Sequence, residues 1–130
     1  MAGAGDAEVE RHPADGWRIE PFRDPAAFEK WLAVYHGTEP GVWLKFAKKT
    51  TRIPSVTLPQ AKEVAMCFGW VDSKMLSYDA AHYVLRYQPR RRRSRWSPGN
   101  RALAERLIAE GRMRPAGLAA VRKAQEEGMW

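Results

Sequence analysis

The run PRRRRSRWSPGN at positions 89–100 is the densest group of residues suited to binding chemistry. Ser97 and Pro98 predict a helix start here, where free backbone N–H groups and a partial positive charge favour anions. Trp96 offers a ring on which a base or another ring can stack. The run therefore predicts binding of phosphate or another anion. The alternative is a solvated loop in which Ser97 caps the helix and the arginines face water.

A strand that begins at Trp70 carries the second candidate site. Its period of two predicts Trp70, Asp72 and Lys74 on one face, at intervals of about 7 Å. We expect Lys45 and Arg86, on neighbouring predicted strands, to converge on that face. Asp72 is then the candidate catalytic acid or base, and the two cations would stabilise developing negative charge. The alternative is a cross-strand salt bridge on a solvated face, which contributes roughly 0.2–1 kcal/mol.

Other chemistries lack their residues. Cys67 is the single cysteine and falls inside an apolar helical pattern, which indicates a core position. His12, His36 and His82 stand in no metal-binding spacing. The serine-hydrolase, dinucleotide and P-loop motifs are also missing. The sequence thus predicts no metal site and no cofactor.

Helix signals and strand signals alternate along the chain and would position these groups. Helices are predicted from Asp24 to Gly37, from Thr57 to Gly69, from Ser97 to Gly111 and from Pro115 to Gly128. Strands are predicted at VWLKFAK (42–48), WVDSKML (70–76) and HYVLRYQ (82–88), and a short extended piece at WRIEPF (17–22). This order predicts an α+β fold in which a small antiparallel or mixed sheet of three to four strands packs with about four helices. We expect a disordered tail over 1–16 and a single domain over 17–130.

The chain has 130 residues and a formal net charge of +7, of which residues 86–95 supply six arginines and no acid. A charge this local indicates one basic surface feature, and Arg90, Arg91, Arg92, Arg93 and Arg95 form a candidate nucleic-acid surface with salt-sensitive affinity. A composition of 45% hydrophobic and 28% charged residues excludes wholesale disorder. No apolar run reaches the length of a membrane span, and the N-terminus carries no export signal. We therefore expect a cytoplasmic protein.

Several motifs together resemble the YdeI/OmpD-associated family, also labelled bacteriocin-protection proteins. They are GVWLKFAKK (41–49), PSVTLPQA (54–61), CFGWVDSK (67–74), YVLRYQPRRRRSRWSPGN (83–100) and LIAEGRMRPAGLAAV (107–121). The resemblance implies a small bacterial α+β domain of undefined activity, linked to envelope stress and to resistance to antimicrobial peptides or bacteriocins. It also implies a periplasmic location, which conflicts with this N-terminus.

The positions that match the family pattern are Trp43, Lys45, Lys48, Ser55, Gly69, Trp70, Asp72, Arg86, Pro89, Arg90, Ser94, Trp96, Ser97 and Asn100. Five positions depart from it. Ser73 stands where the family typically has glycine, Lys74 where it has glutamine and Val71 where it has isoleucine, and Leu58 and Pro59 replace the usual aromatic–acid pair. A glycine would let a ligand approach the strand closely, so Ser73 narrows that space. Lys74 would shift the preference towards anions.

The residues favour a non-catalytic domain that binds an anionic small molecule or phosphate in a cationic, tryptophan-lined cleft. The predicted ligand-binding residues are Lys45, Lys48, Trp70, Asp72, Arg86, Arg90, Ser94, Trp96, Ser97 and Asn100. One alternative is a nucleic-acid-binding protein that uses the arginine run. A second is an enzyme that uses Asp72 with Lys45 or Arg86, and a third is a domain that binds a protein partner.

Overall fold

The computed structural model describes residues 9–130, and over that span the chain folds as one α+β domain. The elements in chain order are β1 (Ile19–Pro21), α1 (Pro25–Tyr35), β2 (Val42–Ala47), a 3₁₀ helix (Lys49–Thr51), α2 (Leu58–Cys67), β3 (Trp70–Ser77), β4 (His82–Pro89), α3 (Pro98–Ala109) and α4 (Pro115–Glu126). Among the helices of these residues, none is long and apolar enough to cross a bilayer.

Capping residues determine where three of the helices begin. Asp24 before α1 and Ser97 before α3 each accept a hydrogen bond from a backbone N–H of the first turn. Before α2, Thr57 and Gln60 form a reciprocal capping box. The helix starts predicted from these residues are confirmed.

The strands of residues 9–130 form a mixed sheet in the order β1-β2-β4-β3, in which β1 and β2 are parallel and the other neighbours antiparallel. The α+β prediction is confirmed. One face of the sheet is covered by the helices, and apolar side chains from both layers form the core between them. The side chains of that core that are less than 2% exposed include Phe28, Leu32, Val42, Leu44, Phe46, Tyr87 and Leu107.

A β-bulge interrupts the pairing of β3 with β4 and reverses the direction of the side chains that follow. Asp72 lies opposite Tyr87, but Lys74 lies opposite Arg86, so Ser73 is the extra residue. Residues directly opposite each other share a face, and Tyr87 belongs to the helix-covered face. Asp72 therefore faces the helices and Lys74 the other side. The prediction that they share a face is wrong.

A segment before β1 lies across the other face of the sheet, called here the outer face. It folds back on itself, with the His12 N–H donating to the Trp17 carbonyl and the Gly16 N–H to the His12 carbonyl, both at 2.8 Å. Part of the predicted tail, residues 1–8, lies outside the described residues. Residues 9–16 differ from the expected disorder, because they have defined contacts with the sheet.

Candidate functional site

A small cleft, with about 50 Å³ of room for water-sized groups, opens where α2, β3, α3 and the loop after β4 meet. Its polar and charged lining comes from separate elements: Lys62 from α2, Asp72 from β3, Arg90 from the loop and Asn100 from α3. The remaining walls are Ala65, Met66, Gly69, Trp70, Val71, Tyr87 and Trp96. The structure thus brings five predicted ligand-binding residues together here, namely Trp70, Asp72, Arg90, Trp96 and Asn100.

Local backbone geometry places these side chains. Gly69 ends α2 with a φ of +75°, a left-handed conformation that glycine adopts without strain. Its carbonyl accepts a hydrogen bond of 2.9 Å from the Arg90 N–H, which ties the loop after β4 to the start of β3. On the far wall, the Ser97 cap fixes the first turn of α3 and thereby the position of Asn100. The cleft is therefore part of the rigid framework.

Arg90 and Trp96 form one wall together. The Arg90 guanidinium lies over the Trp96 ring, with Cζ 4.1 Å from the centroid, and Nη2 donates to the Arg95 carbonyl at 3.0 Å. Burial lowers the pKa of Arg90. Trp96 is only 5% exposed, and its backbone N–H donates to the Met129 carbonyl at 2.9 Å. Its ring is therefore a packed wall, not an open surface on which a ligand could stack.

The wall contains two buried donors without acceptors. Within residues 9–130, neither Arg90 Nε nor the Trp96 indole Nε1 has a hydrogen-bond partner. A buried N–H that lacks an acceptor costs about 1–3 kcal/mol, so such groups call for an explanation. The Lys62 ammonium and the Asn100 side-chain amide, which line the same cleft, also have no described partner. Four donor-bearing side chains thus surround one small space.

Asp72, an exposed residue of β3, adds negative charge to the lining of the cleft. No described residue donates a hydrogen bond to its carboxylate or forms an ion pair with it. Burial, and then the negative charge of Asp72, raise the pKa of the neighbouring Tyr87. The cleft consequently has a cationic side, with Arg90, and an anionic side.

Lys45 and Arg86 lie on the outer face, away from this cleft. In the β2–β4 register, Arg86 is opposite Trp43 and Lys45 is opposite Val84, whereas Asp72 is opposite Tyr87. The predicted convergence of the two cations on Asp72 is therefore wrong, because neighbouring residues of a strand point to opposite faces. Lys45 Nζ lies instead 4.3 Å from the centroid of the Tyr78 ring.

On the outer face, Arg86 belongs to a closed cluster with Asp15, Trp17 and Trp43. Asp15 accepts hydrogen bonds from Arg86 Nε at 3.0 Å, from Trp43 Nε1 at 3.1 Å and from the Trp17 N–H at 3.0 Å. The Arg86 guanidinium stacks on Trp17 at 3.8 Å. Burial raises the pKa of Asp15, but these hydrogen bonds outweigh it, and the net pKa is lowered. In this cluster Arg86 Nε and the Trp43 indole N–H both donate to Asp15, so these two groups are not available to a ligand in the cleft.

The other predicted ligand-binding residues have structural surroundings outside the cleft. Lys48 precedes the 3₁₀ helix, and its backbone N–H donates to the Ala81 carbonyl at 2.8 Å. Ser97 uses its hydroxyl to cap α3. Ser94 lies in the loop that holds the arginine run, residues 90–95, called here the arginine loop. Its backbone N–H donates to the Arg91 carbonyl at 3.3 Å.

The arginine loop is held in place by Glu127, which follows α4. The Glu127 carboxylate accepts hydrogen bonds from the Arg93 N–H at 2.8 Å and from Arg92 Nε at 3.3 Å. The side chains of Arg91, Arg93 and Arg95 are exposed and have no partner in the described part of the chain. The loop therefore presents free cations on an ordered backbone.

Lys62 is the cleft residue that our sequence analysis missed. It precedes Ala65 and Met66 by three and four residues, so it shares their helix face. That spacing was the one feature of the sequence that could have indicated a place for Lys62 beside the cleft. It was weak, because an exposed lysine beside a buried helical stripe is common.

The fold and the site define a small α+β domain with a polar, tryptophan-walled cleft on the helix side of its sheet. Residues 20–120 match the model of a family described as a domain of unknown function, DUF8412, and the chain belongs to that family. A search of curated proteins and a search of solved structures each found no match. The resemblance to the YdeI/OmpD-associated family stays a prediction. Among residues 9–130, no group of three or more metal-ligating side chains could hold a metal ion.

Proposed function

We propose that the protein binds a small anionic molecule, such as a phosphate ester, in the cleft between α2, β3 and α3. The observation that carries this proposal is the pair of buried, unpartnered N–H groups of Arg90 and Trp96. An anionic oxygen supplies the acceptor that such donors lack, and hydrogen bonds to charged groups are the stronger kind.

The rest of the lining supports the same ligand class. Lys62 and Asn100 add a mobile cation and an amide donor, each without a described partner. The space of about 50 Å³ has room for only a few water-sized groups, so it fits a small anionic group and is too small for a folded partner. Because Arg90 is already held over Trp96, binding would order few further side chains.

Lys62 offers the cleanest test, since its substitution disturbs no hydrogen bond among the described residues. Isothermal titration with propyl phosphate should give saturable binding to the native protein. Lys62→Gln should weaken that binding roughly tenfold, which corresponds to the loss of one charge-assisted contact. The matched control is Lys30→Gln on α1, an exposed helical lysine outside the cleft, and it should bind as the native protein does.

Two results would overturn the proposal. The first is no binding of propyl phosphate or inorganic phosphate at millimolar concentration. The second is an equal loss of affinity in Lys62→Gln and Lys30→Gln, which would indicate attraction by net charge alone.

The link to stress resistance belongs to this proposal as its biological setting. The resemblance to the YdeI/OmpD-associated family supports a role in resistance to antimicrobial peptides or bacteriocins. A cytoplasmic location, which is part of the same proposal, would place the ligand inside the cell. Comparing peptide sensitivity of cells that express the native protein or Lys62→Gln would test whether resistance depends on the cleft.

Nucleic-acid binding is a second candidate function, supported by the free cations of the arginine loop. The side chains of Arg91, Arg93 and Arg95 project from a backbone that Glu127 holds in place. If about three phosphates are contacted, the logarithm of the binding constant should fall with the logarithm of salt with a slope of about −2 to −3.

Fluorescence anisotropy with a short single-stranded DNA distinguishes this function from the first. Changing Arg91 and Arg93 together to glutamine should reduce DNA affinity and flatten the salt dependence, and Lys62→Gln should leave both unchanged. A DNA affinity that is absent at low salt, or that is insensitive to the double substitution, would exclude the arginine loop as a nucleic-acid surface.

A further inference from the structure

The cleft pairs its cationic wall with an unneutralised carboxylate. Elsewhere in the described residues, several acids are engaged with nearby arginines: Asp15 with Arg86 at 3.0 Å, and Glu63 with Arg106 and Arg112, each at 2.8 Å. Asp72 lines the same small space as Lys62 and Arg90 but forms no ion pair with either.

A ligand that carries only negative charge would use half of this site. Arg90 and Lys62 would attract it, while the exposed Asp72, which lines the same cleft, would repel it. A ligand with an ammonium group opposite its anionic group would satisfy both walls at once. From this arrangement we infer that the ligand is a small zwitterion, with its anionic group at the Arg90–Trp96 wall and its ammonium group at Asp72.

The surroundings of Asp72 fit an ammonium group. Tyr87 lies directly opposite Asp72 on β4, and the charge of Asp72 contributes to the raised pKa of that phenol. The phenol therefore stays neutral beside the carboxylate and does not compete as an anion. Trp70, 4% exposed, lies in the wall beside Asp72, and Asp72 itself is exposed and open to a ligand.

This inference rests on the proposed function, and one pair of probes separates the two. Phosphoethanolamine and propyl phosphate have nearly the same shape, but only the former carries an ammonium group. Titration calorimetry on the native protein should show that phosphoethanolamine binds about two- to fivefold more tightly, the effect of one additional ion pair at an exposed carboxylate.

Asp72→Asn supplies the decisive comparison. It should abolish the preference, because phosphoethanolamine loses its partner and propyl phosphate loses a repulsive neighbour. Glu105→Gln, at an exposed acid of α3 outside the cleft, is the matched control and should keep the preference. Thermal unfolding of the variants shows whether Asp72→Asn is folded, and Asp72→Glu, which keeps the charge, should retain a preference for phosphoethanolamine.

Each outcome has a distinct meaning. Binding of both probes with equal affinity to the native protein, or a preference that survives Asp72→Asn, overturns the zwitterion and leaves the proposed function standing. Binding of neither probe overturns both. A lipid headgroup has the same chemistry as a free zwitterion, and sedimentation with phosphatidylethanolamine vesicles distinguishes these sources, since a cleft for free molecules should not retain the protein on the vesicles.

Discussion

The two faces of the sheet each carry an acid, an arginine and a tryptophan, but in different states. On the outer face, Asp15 accepts hydrogen bonds from both Arg86 and Trp43, so the three polar groups satisfy one another. On the helix side, Asp72, Arg90 and Trp96 line a cleft. The Asp72 carboxylate, Arg90 Nε and the Trp96 indole N–H form no hydrogen bond with one another there.

The difference teaches where a side-chain set serves stability and where it serves binding. Hydrogen bonds between paired polar groups are stronger in the weakly polar interior of a protein than in water. A buried polar group without a partner raises the free energy of the folded state. The outer cluster fastens the segment before β1 to the sheet. The helix-side set keeps its donors and its carboxylate apart, and we attribute that cost to the ligand that the cleft receives.

The largest expected effect comes from the two tryptophans. Trp43→Phe removes ring volume and a hydrogen bond to a carboxylate, so the free energy of unfolding should fall by about 3 kcal/mol. Trp96→Phe removes similar volume but an N–H that has no described acceptor, and should cost only about 1 kcal/mol. Urea denaturation of both variants measures the difference, and equal losses would contradict the contrast between the two sets.

Substitution of Asp15 should likewise destabilise the protein more than substitution of Asp72, although the difference in the free energy of unfolding is smaller than for the tryptophans. Asp15→Asn weakens the contacts with Arg86 and Trp43 and should lower the free energy of unfolding by about 2 kcal/mol. Asp72→Asn breaks no described contact and should stay within about 0.5 kcal/mol of the native protein. The contrast fails if Asp72→Asn proves the more destabilising of the two in urea denaturation.

The pH dependence of stability should show a still smaller effect on the outer face. Because the folded-state pKa of Asp15 is lowered, its contribution is complete above about pH 5 and is lost as the pH falls through that lowered value. The stability difference between the native protein and Asp15→Asn should therefore shrink between about pH 5 and pH 2.5. Glu63, whose pKa is also lowered, is present in both proteins and cancels in the difference.

A stability difference that stays constant over this range would show that the Asp15 carboxylate gains nothing from Arg86. A high-salt repeat is informative here, because screening acts mainly on exposed charges. The Asp15 contribution should survive it in large part, since the carboxylate side chain is only 16% exposed.

Much of the fold could be predicted because its signals are local. Asp24, the Thr57–Gln60 pair and Ser97 satisfy free N–H groups within a single turn, so their sequence spacing is sufficient to place the helix starts. The alternation of apolar residues in β2 and β4 is also local, and it was sufficient to predict both strands.

The site was harder to predict, because its geometry depends on contacts between distant segments. The bulge at Ser73 turns Lys74 to the outer face, and nothing in the local alternation of β3 reveals it. Asp15 reaches Arg86 across 71 positions of the chain, from a stretch whose composition resembles a tail. The pairing of β2, β4 and β3 places Arg86 and Lys45 on the outer face and Asp72 on the helix side, and the alternation within each strand does not reveal that pairing.

The most direct test of the central claim follows the indole N–H signals of the six tryptophans in a ¹H–¹⁵N spectrum during titration with phosphoethanolamine. Trp43→Phe and Trp96→Phe assign the two signals of interest. We predict a saturable shift of the Trp96 signal as its indole N–H gains an acceptor. The Trp43 signal should not move, because the Trp43 indole N–H already donates to Asp15. A Trp96 signal that stays fixed to saturating concentration, or a Trp43 signal that moves in its place, would contradict the account.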